Sequence, residues 1–598
     1  MRSLFRPGLL LVVLALGPSA AAQGEPEPPG PGIRFNGLGR SYIQQTDLGG
    51  NVIDNDTLTV DRLTDGNFVL DLAVAAQPNA VTEVQGVIRL RNEFGGFFGA
   101  GSTVEIRELW ARGIIADRVR YRLGDYNYRL TPFTVHLPER DGTVNEPELF
   151  RSQREVIDYE EFYTGLDERR FQGGTVDFGL AFDQVLETLD AEVFLARLRA
   201  TDFRTTPTRL IGGGRLAAAT PVLGDVGSRA TVGVNLASTW DDLESGDATR
   251  GIRNRVWTID ADVTLLDRDG LTLQAMGEGG WSHVELTERV PDPDDGQPAP
   301  EVDPLVEDDD TFFEAGLAVS LATSGIGVSA RFVDVGPDFY SAAAQSKRVD
   351  YTRSLRSFNR VGSNRQFRAV SLFDLTRDQG LYTSRVANQL MAYDPRYGNV
   401  LPYGRATPNR RGVHLASTYA PAEGPLDAGL EIALLTEIRG QGTDELKDFV
   451  LIRGEADVPL ASLVGSSRLL AATLGLQYES TSRGGDPIVE VNLTSLLVEL
   501  GLAVEVYDRL DVLLGSKTRS SSGRDFVPVL ADFNDVRDFP GPFVTDDRES
   551  LVGAGLRYRF KDDVYLTVQV QQFSYGADAS PDDDYRLGQV FALYSMTF

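Results

Sequence analysis

The chain alternates. Val564, Leu566, Val568 and Val570 occupy one set of alternate positions, and Thr567, Gln569 and Gln571 occupy the other. A period of two describes a β-strand with two unlike faces. The same arrangement sets Phe68, Leu70, Leu72 and Val74 against Asp71, and Trp257, Ile259, Ala261, Val263 and Leu265 against Asp260 and Asp262. It also sets Val498, Leu500, Leu502 and Val504 against Glu499, Gly501 and Glu505. From Ile33 to Phe598 this pattern predicts about 22 strands, or about 24 if the stretch Gly336–Arg410 holds one more hairpin. The second face carries too many ionisable groups to pack unpaired against another sheet. It therefore predicts a wide, wet, polar lumen rather than a sandwich core. Paired carboxylates on this face (Asp190/Glu192, Asp260/Asp262, Glu455/Asp457) read as wall charges answered by arginines on neighbouring strands.

The connections alternate in length. Tight turns are predicted at Gln77–Ala80, Gly113–Ala116, Leu266–Gly270, Ala322–Gly325, Tyr507–Arg509 and Lys561–Asp563. Between them fall long connections at Thr46–Gly66, Tyr126–Arg170, Leu286–Asp309, Gly336–Arg410 and Ser521–Glu549. Short turns on one rim and long loops on the other are the asymmetry of a transmembrane barrel. Backbone groups in lipid need a closed ladder, so the strands must form a barrel. Trp110, Trp240, Trp257 and Trp281 are candidates for its interfacial aromatic girdle.

The last strand, Leu587–Phe598, places Val590, Ala592, Tyr594, Met596 and Phe598 on one face. A terminal phenylalanine closing such a strand resembles the C-terminal sorting signal of Gram-negative outer-membrane β-barrels. The resemblance implies a porin-like barrel in the cell outer membrane, with short periplasmic turns and long extracellular loops. It implies outer-membrane lipid, lipopolysaccharide and the barrel-assembly machinery as partners, and Tyr594, Met596 and Phe598 as the assembly signal.

The amino-terminal end fits export. A basic start, the apolar run Gly8–Gly17 and the small residues Ala20–Ala22 read as a signal peptide over 1–22. A Pro-rich lead-in over 23–32 is too short for a plug domain, so a single barrel is expected over 33–598. No run of about 18 apolar residues follows, so helical spans are not expected. The chain has no cysteine, three histidines and a net charge of -29. That charge excludes general affinity for nucleic acid, and the missing cysteines exclude thiolate chemistry.

Candidate chemistry is sparse. His136, with Glu139 and Asp141 nearby, forms no readable triad, and His283 and His414 read as interfacial. No phosphate loop or metal-protease spacing occurs, so no enzyme and no cofactor are expected. The acidic loop Leu286–Asp310 offers Asp292, Asp294, Asp295, Asp308, Asp309 and Asp310 as a calcium set, without EF-hand spacing. The segment Lys347–Arg411 stands apart, with thirteen basic residues against four acidic ones. Its interleaved aromatics argue against disorder, and so long a connection is functional or disordered. Over 337–410 it reads as a lumen constriction or an outer cap, with Arg353, Arg356, Arg360, Arg365 and Arg368 meeting anions or lipopolysaccharide.

The leading function is passive passage of small polar or anionic solutes. The rivals are a structural barrel partnering a secretion, adhesion or export complex, and an outer-membrane enzyme. The assigned faces predict that an arginine at Val568 costs about 2–4 kcal/mol, and one at Gln569 almost nothing.

Overall fold

A computed structural model describes residues 32–54, 61–94, 101–138, 141–162, 167–182, 186–202, 206–222, 224, 226–243, 250–288, 303–361, 366–387, 389–422, 424, 426–528 and 540–598. The expected signal peptide, 1–22, and nearly all of the expected lead-in lie outside them.

The alternating segments pair into one antiparallel sheet of 22 strands, each hydrogen-bonded to its neighbours in sequence. The sheet closes where Gly32–Gly49 pairs with Tyr585–Thr597, from Leu38 opposite Thr597 to Gly49 opposite Arg586. Closure leaves no strand edge unpaired. The alternative of 24 strands is not met. Ile326–Val335 pairs directly with Arg410–Tyr419, and among the described residues the long segment between them holds a two-residue ladder, Arg360–Val361 with Gln366–Phe367, and an isolated bridge between Val349 and Tyr382. That stretch lacks sustained alternation, and its backbone goes into turns and short helices such as Ala342–Gln345 and Leu372–Arg377.

Several strands exceed the roughly 9–11 residues that cross a bilayer. Gly541–Lys561 has 21 residues and Asp303–Leu321 has 19. The excess lies at the long-connection rim, where Leu510–Val527 and Gly541–Lys561 run well into the expected loop Ser521–Glu549. Over Thr518–Asp525 and Thr545–Ser550 both faces are polar, so alternation does not mark the strand there.

The two faces are inverted relative to a soluble protein. Val568 and Val570 are 43% and 54% exposed, whereas Gln569 and Gln571 between them are 1% and 5% exposed. Leu500, Leu514, Val552 and Leu556 also face outward, opposite buried Glu499, Asp511, Lys517 and Glu549. A continuous apolar exterior of this extent is stable against lipid, not water. Among the described residues no helix is long and apolar enough to cross a membrane; the strands do so. Trp257 and Trp281 pair across adjacent strands on the outer face, with ring centroids 5.9 Å apart. Trp110 departs from the girdle reading: it turns inward, between the guanidinium groups of Arg112 and Arg122.

The apolar core sits inside the barrel. The described residues of 129–168 and 336–409 leave the long-connection rim and fold into the lumen. There Leu149, Phe150, Leu372, Phe373 and Leu375 pack with wall residues Leu513, Leu551, Phe573 and Leu587. The expectation of a wide wet lumen is thereby corrected. Inward charges such as Glu499, Lys517, Asp547 and Glu549 meet these two insertions, and others such as Asp71 and Asp260 pair with arginines of the wall. Arginine at Gln569 is consequently not neutral, because that side chain is enclosed.

Candidate functional site: the occupied lumen

The first insertion is seated by shape. Gly501, Gly515 and Gly553 lie opposite one another on three neighbouring strands, all facing inward, with Gly555 on the same strand as Gly553. A Cβ on Gly515 would come within 3.0 Å of Leu149 Cβ and Phe150 Cε2, and one on Gly555 within 2.8 Å of Leu149 Cδ1. Bare backbone thus forms a shelf for the helix Glu148–Ile157. The helix follows Pro147, whose fixed φ suits a helix start, and Glu148 in its first turn suits the helix dipole. Beside the shelf, Lys517 Nζ lies 2.8 Å from Glu146 and 3.0 Å from Glu499. Burial pushes the Glu146 carboxyl up, but Lys517 and Arg154 outweigh it and hold the group below the usual range. The Glu499 carboxylate also accepts the backbone N–H groups of Val144 and Asn145 at 2.7 and 2.8 Å.

The second insertion is seated by charge. Arg396 pairs with Asp547 at 2.9 Å, and the Tyr397 hydroxyl donates to Glu549 at 2.9 Å. From the wall, Arg519 reaches Asp547 at 2.8 Å and Glu549 at 3.2 Å. Asn399 donates to Glu479, Thr481 and Asp525. The insertions also hold each other: Lys347 pairs with Asp141 at 3.1 Å, and the Tyr351 hydroxyl donates to Asp141 at 2.9 Å. Arg169, buried at the start of its strand, donates to the carbonyls of His136, Ala343 and Ser346.

The singled-out arginines are not brought to one place. Arg368 is 1% exposed at its side chain and forms a bidentate pair with Asp374 at 2.6 and 2.8 Å; it clamps the short helix Leu372–Arg377. Arg353 bonds Asp350 and the Gly380 carbonyl. Arg356 leaves 56% of its side chain in solvent, 3.5 Å from Asp378. Arg360 is exposed and lies over the Phe367 ring. Arg365 lies outside the described residues.

Between the insertions and the wall remains a cavity of about 240 Å³. Tyr42, Leu63, Asp65 and Phe591 line it from the wall, and Gln153, Val156, Arg356, Arg377 and Asp378 from the insertions. Towards the short-turn rim the lumen wall carries the carboxylate pairs, exposed or half-buried. Asp260 meets Arg215 at 2.6 Å, as an answered wall charge.

Asp292, Asp294, Asp295 and Glu139 lie outside the described residues. Asp308, Asp309 and Asp310 are consecutive on a strand, so they alternate between faces. Asp309 meets His283 on the outer face at 2.9 Å. Asp310 accepts the backbone N–H of Asp338 at 2.7 Å, at the root of the second insertion. A closer set of cation ligands, missed in the sequence, is His283, Glu285 and Glu307, which register brings together on neighbouring strands. His414 faces the lumen, 4.0 Å from Glu431, rather than the interface. His136 is enclosed, and burial pushes its imidazole down to about 4. Asp141 is engaged by Lys347 and Tyr351 rather than by His136. Tyr594 and Met596 lie on the outer face of the closing strand, and Tyr594 meets Phe560 edge-on. Phe598 exchanges backbone hydrogen bonds with Gly37.

A closed, antiparallel, lipid-faced barrel of this size has the architecture of the Gram-negative outer-membrane β-barrels. No protein-family model matches the chain, and no curated protein matches it. Among solved structures it is similar to the ferric citrate transporter FecA in its unliganded form, at 11% identity over 94% of this chain and 78% of that one, with a TM-score of 0.44. It is similar to OprD from Pseudomonas aeruginosa at 10% identity over 94% of each chain, with a TM-score of 0.29. It is similar to a BenF-like porin from Pseudomonas fluorescens Pf-5 at 8% identity, covering 95% of this chain and 99% of that one, with a TM-score of 0.31.

Proposed function

We propose that the chain is a porin-like channel of the cell outer membrane, passing small polar or anionic solutes through a lumen narrowed by its own two insertions. The observation that carries this reading is the polar cavity left between the insertions and the wall, with the partly exposed Arg356 beside it. Arg353, Arg356 and Arg360 keep side-chain surface in water and are the segment's contacts for a permeating anion; Arg368 acts from behind as a clamp. Cations confined in a narrow, low-dielectric passage attract anions far more strongly than exposed ones do. Outer-membrane lipid and the barrel-assembly machinery are the partners this function requires.

A second reading, a closed barrel serving an assembly or export complex, is favoured by the many buried ion pairs that hold the insertions in place. Conductance separates the two. Purified protein in a planar bilayer should show small steps with a reversal potential favouring anions in a salt gradient. Excising residues 347–408 should enlarge the steps and turn the preference towards cations, because Asp547, Glu549 and Asp525 lose Arg396 and Asn399. Silence from both proteins sinks the channel and leaves the closed barrel.

A further inference from the structure

Several arginines buried within the insertions have an acid. Arg368 has Asp374, Arg396 has Asp394 and Asp547, and Arg154 has Glu146. Arg377 differs. It forms no ion pair among the described residues, its Nε is buried without a hydrogen-bond partner, and its one side-chain hydrogen bond is a long 3.5 Å contact to Ser357 Oγ. Its guanidinium stacks over Phe373, 4.5 Å from the ring centre, and lines the cavity described above. The guanidinium is half-buried, and Asp374, Asp378 and Asp65 attract it through space without forming an ion pair with it; an enclosed guanidinium with no directly bonded acid is costly unless a ligand completes it.

The acids around the cavity are engaged elsewhere. Asp374 is held by Arg368. Asp378 accepts the backbone N–H groups of Arg356 and Gly380 at 2.8 and 2.9 Å. Asp65 lies exposed at the margin, with Gln44 Nε2 at 3.4 Å. The opposite wall is apolar: the Tyr42 and Phe591 rings lie 6.1 Å apart, beside Leu63 and Val156. At about 240 Å³ the cavity falls below the roughly 300–1,000 Å³ of sites for drug-sized ligands, so its occupant is smaller.

We propose that this cavity binds a small organic acid with an apolar body, its carboxylate held by Arg377 and Arg356 and its body against Tyr42 and Phe591. The proposal rests on the channel reading and deepens it by naming a solute class, with the occupant lodged between insertion and wall. An inorganic anion would satisfy the guanidinium groups but leave the aromatic wall unused. A neutral amide would leave Arg377 unpaired.

Calorimetry on the full protein in detergent micelles, titrated with phenylacetate, phenylacetamide and inorganic phosphate, tests this. Wild type should bind phenylacetate at least tenfold more tightly than the other two. Arg377→Gln should weaken phenylacetate binding tenfold or more while the barrel stays folded, judged by its heat-modifiable migration on a gel. Arg356→Gln, at a largely exposed side chain, should weaken it several-fold and keeps the test decisive if Arg377→Gln fails to fold. Equal affinity for phenylacetate and phenylacetamide, no binding by wild type, or unchanged binding in both variants overturns the proposal. Binding in micelles does not depend on conduction, so a silent barrel that binds phenylacetate refutes the channel and spares the site.

Discussion

The two insertions occupy the same lumen by different means. Residues 129–168 rest on a glycine shelf of bare backbone at Gly501, Gly515, Gly553 and Gly555, and Glu146, Glu148 and Glu160 add ion pairs to Lys517, Arg557 and Arg89 of the wall. Residues 336–409 are tied by Arg396, Tyr397 and Asn399 to wall carboxylates at Asp547, Glu549, Glu479 and Asp525. Shape tolerates neutral change on either partner as long as volume is kept. A buried charge network does not, because each member removed strands another in low dielectric. The first insertion, held by both, should therefore respond to bulk as well as to charge, and the second chiefly to charge.

The largest effect is expected at Arg519→Met. Arg519 bridges Asp547 and Glu549, and both carboxylates would stay buried with one cation fewer. The loss should be about 3–5 kcal/mol, read by denaturant unfolding of the purified barrel. Protease should then cut within 336–409 before 129–168. Simultaneous release of both insertions would show that they dock as one unit and that the contrast drawn above is false.

Next in size is a change that touches neither insertion. Val568→Arg places a charge against lipid at a cost of about 2–4 kcal/mol at mid-depth, visible as lower folded yield in vesicles. Protease sensitivity of the two insertions, normalised to folded protein, should stay unchanged. Below it stands Gly515→Val, which forces side-chain atoms against Leu149 and Phe150 and should cost about 1–3 kcal/mol. Here the order of cleavage should reverse, with 129–168 released first.

The wall was legible because alternation is local. Val568 and Gln569 reveal their faces within a few residues, and 22 repetitions of such a pattern fix a barrel. The lumen was not legible, for two reasons. Gly501, Gly515 and Gly553 form a shelf only once register aligns three strands, and nothing in any one strand announces it. The basic excess of Lys347–Arg411 marked the second insertion as unusual, but sign alone does not say which arginine is a clamp. Arg368 and Arg377 look alike in sequence; one pairs with an acid six residues on at Asp374, and the other, with Asp378 next to it in the chain, forms no ion pair among the described residues. The inward carboxylates looked solvated because their partners, such as Arg396 for Asp547, lie far away in the chain. Similarly, His283, Glu285 and Glu307 meet only through the pairing of neighbouring strands.

The smallest effect expected is one of pH, and it separates the insertions by a different property. His136 lies in 129–168, whereas 336–409 contains no histidine. Burial pushes the His136 imidazole down to about 4; Asp167 opposes this, and Arg169, Arg405 and Arg348 add to it. A folded value below the unfolded one, about 6.5, means that the unfolded chain binds the proton more readily. Stability is therefore full above about pH 6.5 and declines as pH falls towards 4. Between about pH 7.5 and 5.5 the loss amounts to roughly 1 kcal/mol. In the second insertion burial raises the Asp378 carboxyl, so acid relieves that group, while burial of Asp394 is outweighed by Arg396, which holds that carboxyl below its usual range, a stability lost only in stronger acid. Hydrogen exchange at the two pH values should thus show 129–168 loosening while 336–409 holds. His136→Asn should remove the difference. Equal acid loosening of both insertions in wild type and variant would mean that carboxylates of the shared network, not this imidazole, set the response.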